Sequence, residues 1–173
     1  MYPKTKAEQM IDKTFPLLVK LMDSGLELAR QLLLLLDGES RILRQNRHAA
    51  SLYHLTEQKQ QLVSQLNQFS DQLGQILASE KLDNGREGLQ QYFEIARQKD
   101  LQTATAVERW SEFMSISERC RMLNEQNGAS IALLTRHVQR SLQILKGKPQ
   151  TTSTYGPDGT TRSGLYSRTL VSV

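Results

Sequence analysis

The stretch LYHLTEQKQQLVSQLNQFSDQLGQI covers residues 52–76 and repeats a large side chain every three or four residues. One seam runs through Leu52, Leu55, Leu62, Leu66, Phe69, Leu73 and Ile76. Lys59 stands on this seam where the pattern calls for Leu. The spacing is that of a coiled-coil helix, and a polar residue on such a seam fixes its register at a cost in stability.

Two other long segments carry the same helical spacing. Apolar residues recur every three or four positions over residues 11–36 and again over 107–145. A short amphipathic piece over residues 89–96 lies between them. Pro16 removes a backbone donor, so it should start or kink the first helix, and a second break is expected at residues 37–38.

The composition favours an all-α fold. Aromatic residues make up only 6% of the 173 residues, which include 10 Gly and 4 Pro. We therefore expect an elongated antiparallel helical bundle, or coiled coil, of three long helices plus a short helix, with a disordered C-terminal tail. Residues 1–146 should form the helical domain. Residues 147–173 are rich in Gly, Pro, Ser and Thr, and they bury too little apolar surface to offset their ordering entropy.

Several classes of function are disfavoured by the residues present. The lone Cys120 excludes an internal disulfide and any multi-Cys metal site, and the three histidines lack metal-ligand spacing. The longest aliphatic run, residues 32–36, is far shorter than the roughly 20 residues of a membrane-spanning helix. A net charge of +4 is mild for a nucleic-acid-binding protein. We expect a cytoplasmic protein that is not an enzyme, without cofactor, metal, nucleic acid or membrane insertion.

The most unusual stretch of the last helix is residues 123–131, where Asn124, Asn127 and Gly128 interrupt a strong apolar pattern. Asn and Gly are poor helix formers. In one interpretation Asn127 sets the helix register as a polar layer, beside a close helix contact at Gly128. In the other, the stretch is a family-specific site.

The motifs of this stretch and of the tail resemble those of a known family. They are Trp110-x-x-Phe113, then Arg119-Cys120-Arg121-x-Leu123-Asn124-Glu125-x-Asn127-Gly128, then Tyr155-Gly156-Pro157-Asp158-Gly159, together with Glu57-Gln58-Lys59-Gln60-Gln61-Leu62. This pattern, over nearly the whole chain, is similar to that of the FlgN family of flagellar export chaperones. The resemblance implies a chaperone of the flagellar type III secretion apparatus that binds the C-terminal helices of the hook–filament junction proteins FlgK and FlgL. It also implies delivery of these unpolymerised subunits to the export gate.

Two sites are predicted on this basis. A cargo-binding groove is expected on Ile131, Leu134, Val138, Leu142 and Leu145, because this apolar face continues beyond the length that the two earlier long helices can cover. The alternative is that these side chains close an intramolecular bundle.

The second predicted site is Tyr155, an aromatic residue in a Gly/Pro/Ser/Thr-rich tail that suits a short docking motif. By resemblance its receptor is the cytoplasmic domain of the export-gate protein FlhA. The alternative is a solvated tail without a docking role.

Two rival classes of function stay open. A structural homodimer would use residues 52–76 as a parallel zipper. A regulatory protein that binds RNA or a transcription-factor partner would show nucleic-acid affinity that falls steeply with salt.

Overall fold

A computed structural model of the protein describes residues 8–45, 49–146, 153–155 and 161–163. The helices are α1 (Glu8–Arg44), α2 (Ala49–Ser79), α3 (Arg86–Gln98) and α4 (Ala104–Leu145). They confirm the all-α class, with three long helices and one short helix. The chain divides into two compact units, residues 1–127 and 128–173, and α4 passes from the first into the second.

In the first unit, α1 and α2 run antiparallel. Ile11 and Leu18, near the start of α1, share a buried cluster with Phe69 and Leu77, near the end of α2. At the other end of the pair, Lys59 of α2 reaches the second half of α1. The α2 seam therefore packs against α1 of the same chain.

The first part of α4 runs parallel to α1. Ala29 and Leu36 of α1 form a second buried cluster with Ile116 and Cys120 of α4. The Phe113 ring of α4 also lies 5.0 Å from the ring of Phe69 on α2, measured between centroids. Residues 104–127 of α4 thus complete a three-helix arrangement with α1 and α2.

Helix α3 covers one end of the first cluster, and its predicted amphipathic face is confirmed. Leu89, Tyr92 and Ala96 are completely buried. The Tyr92 hydroxyl lies 2.8 Å from Thr14 Oγ1, which ties α3 to α1. Gly88 is required in the first turn because a Cβ built there would lie 1.8 Å from the carbonyl oxygen of Asp83.

Helix α1 runs through both Pro16 and Gly38, so it neither starts at Pro16 nor ends at Gly38 as the sequence suggested. Phe15 and Leu18 are buried on either side of Pro16, so packing holds the helix where proline removes one backbone hydrogen bond. After Gly38, the side chain of Glu39 is buried and bonded to neighbouring helices. Tertiary contacts override the local preference at both positions.

The second unit contains the remainder of α4 and a pair of short strands, β1 (Ser153–Tyr155) and β2 (Thr161–Ser163). The strands are antiparallel, with Ser153 opposite Ser163 and Tyr155 opposite Thr161. The sequence predicted no regular structure in this segment, because three-residue strands are too short to give a detectable apolar alternation. The helix end predicted at Gly147 lies outside the described residues.

Candidate functional site

A polar layer joins α1, α2 and α4 at the end of the first unit. The Asn127 side chain donates to the Leu36 carbonyl oxygen and to Glu39 Oε2, both at 2.9 Å, and it accepts a hydrogen bond from Ser40 Oγ at 2.6 Å. Lys59 Nζ donates to Glu39 Oε1 at 2.9 Å and to Oε2 at 3.2 Å. Only 1% of the Glu39 side chain is exposed, against 22% for Lys59. These bonds constrain the registers of three helices at once.

The three residues singled out in the unusual stretch of α4 have different environments. Asn127 is buried in the polar layer, whereas Asn124 is exposed and lies at the edge of a groove. No atom of the described residues lies within 4 Å of a Cβ built on Gly128, so the close helix contact of the first interpretation is wrong. The buried Asn127 side chain is stabilised by its own hydrogen bonds. It does not depend on a close backbone contact at Gly128.

A groove of about 780 Å³ opens between α2 and α4, with α1 as its floor. We call it the α2–α4 groove. Its apolar lining includes Ala29, Leu32 and Leu36 from α1, Val63, Leu66 and Phe69 from α2, and Trp110, Phe113 and Cys120 from α4. Polar side chains, among them Asn67 and Asn124, stand along its edges. An apolar interior with a polar edge suits an amphipathic helix.

The α2–α4 groove was not predicted from the sequence. Val63 is 43% exposed, directly follows Leu62 of the predicted α2 seam, and lines the groove. Trp110 stacks on Phe113 with ring centroids 5.4 Å apart, and both rings line the opposite wall. The one signal in the sequence was Val63 itself, an apolar residue that lies outside the predicted α2 seam and so has no role in the packing that the seam predicts.

Cys120 lines the α4 side of this groove, and its environment disfavours nucleophilic reactivity. Its Sγ is 3.7 Å from the Ala29 carbonyl oxygen, to which the thiol donates. Burial raises the pKa of the Cys120 thiol, and the charge of Arg119 only partly opposes that shift. The thiolate needed for nucleophilic chemistry is therefore disfavoured.

The predicted cargo residues lie on the part of α4 in the second unit, and we call them the apolar strip. Ile131, Val138, Leu142 and Leu145 are between 39% and 82% exposed, and Leu134 is half-buried. Their spacing of three and four places all five on one face, over about 21 Å of helix. The strip is thus a row of large apolar side chains open to solvent.

The other predicted positions are spread over the chain. Tyr155 lies at the end of β1, where its backbone is paired with Thr161. His54 and His137 are exposed on α2 and α4, and His48 is outside the described residues. Across the described ranges, no three His, Cys, Asp or Glu side chains are grouped closely enough to hold a metal ion.

None of the described helices combines the length and apolar character needed to cross a membrane.

Comparison with known proteins gives one match. A family model described as FlgN protein matches residues 10–163, which cover all four helices and both strands except for the first two residues of α1. No curated protein and no solved structure matches the chain. The chain therefore belongs to the FlgN family, and this membership implies the role of a flagellar export chaperone.

Proposed function

We propose that this chaperone binds the C-terminal amphipathic helices of the hook–filament junction proteins FlgK and FlgL in the cytoplasm. Such helices pack only in the assembled filament, so a free subunit needs a substitute packing partner until it is exported. The observation that carries the proposal is the exposed apolar strip on α4. A cargo helix lying along it would cover side chains that otherwise face water.

The expected affinity follows from the size of the strip. Three or four Leu, Ile or Val side chains contribute about 1.5–3 kcal/mol each when fully buried, a gross gain on the order of 5–10 kcal/mol. Association and helix ordering cost part of this gain. The remainder corresponds to dissociation constants on the order of micromolar to nanomolar, which allow both capture and release.

The test is the affinity of the full chain for labelled C-terminal peptides of FlgK and FlgL, measured by fluorescence anisotropy. Leu142→Glu places a charge in the strip and should weaken binding at least 30-fold, on the order of 2 kcal/mol or more. Gln143→Glu makes the same change of net charge on the neighbouring exposed position, outside the strip, and should change affinity by about twofold or less. Circular dichroism should find both variants as helical as the parent.

The α2–α4 groove is a second candidate site for the same helices, favoured by its concave shape and by Trp110 and Phe113 along one wall. Val63→Glu tests it, because Val63 is exposed at the groove and its substitution leaves the core intact. Loss of binding in Val63→Glu but not in Leu142→Glu would assign the cargo to the groove. Full affinity in both variants would contradict cargo binding by either surface.

We further propose that the tail brings loaded chaperone to the cytoplasmic domain of FlhA through Tyr155. The support is the resemblance of the tail motif together with the family match, which extends to residue 163 and so includes Tyr155. Tyr155→Ala should weaken FlhA binding in a pull-down assay and leave cargo affinity unchanged. Unchanged FlhA binding, both in this variant and after truncation at Gly147, would refute the docking role.

A further inference from the structure

Positive charge is concentrated in the second unit. Residues 128–173 contain six Lys and Arg and one Asp, a net charge of +5, whereas residues 1–127 contain 16 Lys and Arg and 17 Asp and Glu, a net charge of −1. The overall value of +4 hides this asymmetry. A charge difference of this kind between two parts of a chain indicates an anionic partner for the basic part.

The two units also differ in how many of their cations form ion pairs with carboxylates. In the first unit, Arg30 pairs with Glu112 and Arg109 pairs with Asp23, both at 2.6 Å. Among the described residues of the chain, no carboxylate lies within ion-pair distance of Arg136, Arg140 or Lys146. The charges of Arg136, Arg140 and Lys146 are therefore available to an external partner.

Two of these cations share a helix face with exposed aliphatic side chains. At 100° per residue, Leu133, Arg136, His137, Arg140 and Ile144 fall within one arc of about 100°, and we call this arc the basic face. Leu133 is 53% exposed and Ile144 is 62% exposed. The centre of the basic face lies about 150° around α4 from the centre of the apolar strip. A partner on the basic face would leave the strip open.

We propose that the basic face docks this protein on an anionic lipid bilayer, with Leu133 and Ile144 inserted at the interface and Arg136 and Arg140 among the headgroups. A basic helix with exposed aliphatic side chains suits a membrane surface. Nucleic acid fits less well, because residues 128–146 contain no Phe, Tyr or Trp on which a base could stack. The binding is peripheral and independent of cargo.

The direct test is sedimentation of the full chain with sucrose-loaded vesicles of phosphatidylcholine containing about one third phosphatidylglycerol. Each basic residue near an anionic surface strengthens partitioning by about fivefold. Arg136→Gln combined with Arg140→Gln should therefore weaken binding about 25-fold. Arg41→Gln combined with Arg97→Gln makes the same change of net charge at exposed, ion-paired positions of the first unit and should change binding less than threefold.

A second pair of variants tests which face meets the lipid. Leu133→Ser with Ile144→Ser should weaken partitioning at least fivefold, whereas Val138→Ser with Leu142→Ser, on the apolar strip, should leave it within twofold. Equal loss in both pairs would overturn the assignment of the face. Equal binding to pure phosphatidylcholine vesicles, or no effect of the Arg136 and Arg140 substitutions, would overturn the proposal. So would binding of a single-stranded RNA oligonucleotide more tightly than the anionic vesicles.

Discussion

Lys59→Met should be among the most destabilising substitutions at a partly exposed position of this protein. Lys59 Nζ contacts both oxygens of Glu39, whose side chain is 1% exposed. Methionine keeps most of the aliphatic stem and removes the ammonium group. Glu39 would then retain its hydrogen bond from Asn127 but no opposite charge. A buried charge that loses its partner costs about 3–5 kcal/mol, and the lower end applies because Lys59 is 22% exposed and water can approach.

The double variant Glu39→Gln with Lys59→Met separates this effect from simple loss of packing. Removing both charges should return the free energy of unfolding to within about 1 kcal/mol of the parent, since the buried carboxylate is gone and an amide can still accept from Asn127. The two substitutions should thus show a coupling energy of about 2 kcal/mol.

Urea unfolding followed by circular dichroism at 222 nm measures these values, with an unchanged denaturant slope as the control for two-state behaviour. The reasoning would be refuted by a loss below about 1 kcal/mol in Lys59→Met. It would also be refuted by a double variant no more stable than Lys59→Met alone. Either result would mean that the polar layer is hydrated in solution.

Three further predictions concern single side chains. Burial raises the pKa of Tyr92 to about 12 from the ordinary value of 10, so the folded state holds the proton more tightly than the unfolded state. The contribution of Tyr92 to stability should be constant below about pH 10 and fall by about 3 kcal/mol as the pH rises to about 12, and Tyr92→Phe should flatten this part of the urea-midpoint profile. Cys120, whose thiol pKa is raised by burial, should react with iodoacetamide at pH 8 at least tenfold more slowly in the native protein than in urea. Gly88→Ala should cost about 1–3 kcal/mol because its Cβ would strike the Asp83 backbone, whereas Gly128→Ala should gain up to about 1 kcal/mol in open space on a helix. Equal effects of the two glycine substitutions in urea unfolding would contradict this contrast.

The helices and their buried faces could be predicted because they depend on the spacing of apolar residues along the chain. The last helix was expected over residues 103–146 and is observed over Ala104–Leu145. The α3 face carrying Leu89, Tyr92 and Ala96 is buried as its spacing indicated. The α2 seam was expected to end at Ile76, but Leu77 is the fully buried residue there. A helix of 3.6 residues per turn drifts away from a strict 3.5-residue repeat, and this drift brings Leu77 towards α1.

The family resemblance was also available from the sequence, because it rests on the identities of residues in short motifs such as Leu123-Asn124-Glu125 and Tyr155-Gly156-Pro157. The family match over residues 10–163 confirms it. The sequence did not predict that α1 continues through Pro16 and Gly38, because the packing around these residues is not visible in the local signal.

The sequence by itself determined the all-α class, the helix faces and the position of a polar residue on the α2 seam. Only the tertiary structure decided that the partner of Lys59 is Glu39. In the sequence, Glu39 cannot be distinguished from other charged residues of a helix. The tertiary structure also decided that Asn127 closes the same layer and that α2 and α4 leave a groove between them. The physical reason is that apolar spacing specifies which side chains share a face of one helix, whereas the partner across a helix interface depends on the relative register and separation of whole helices.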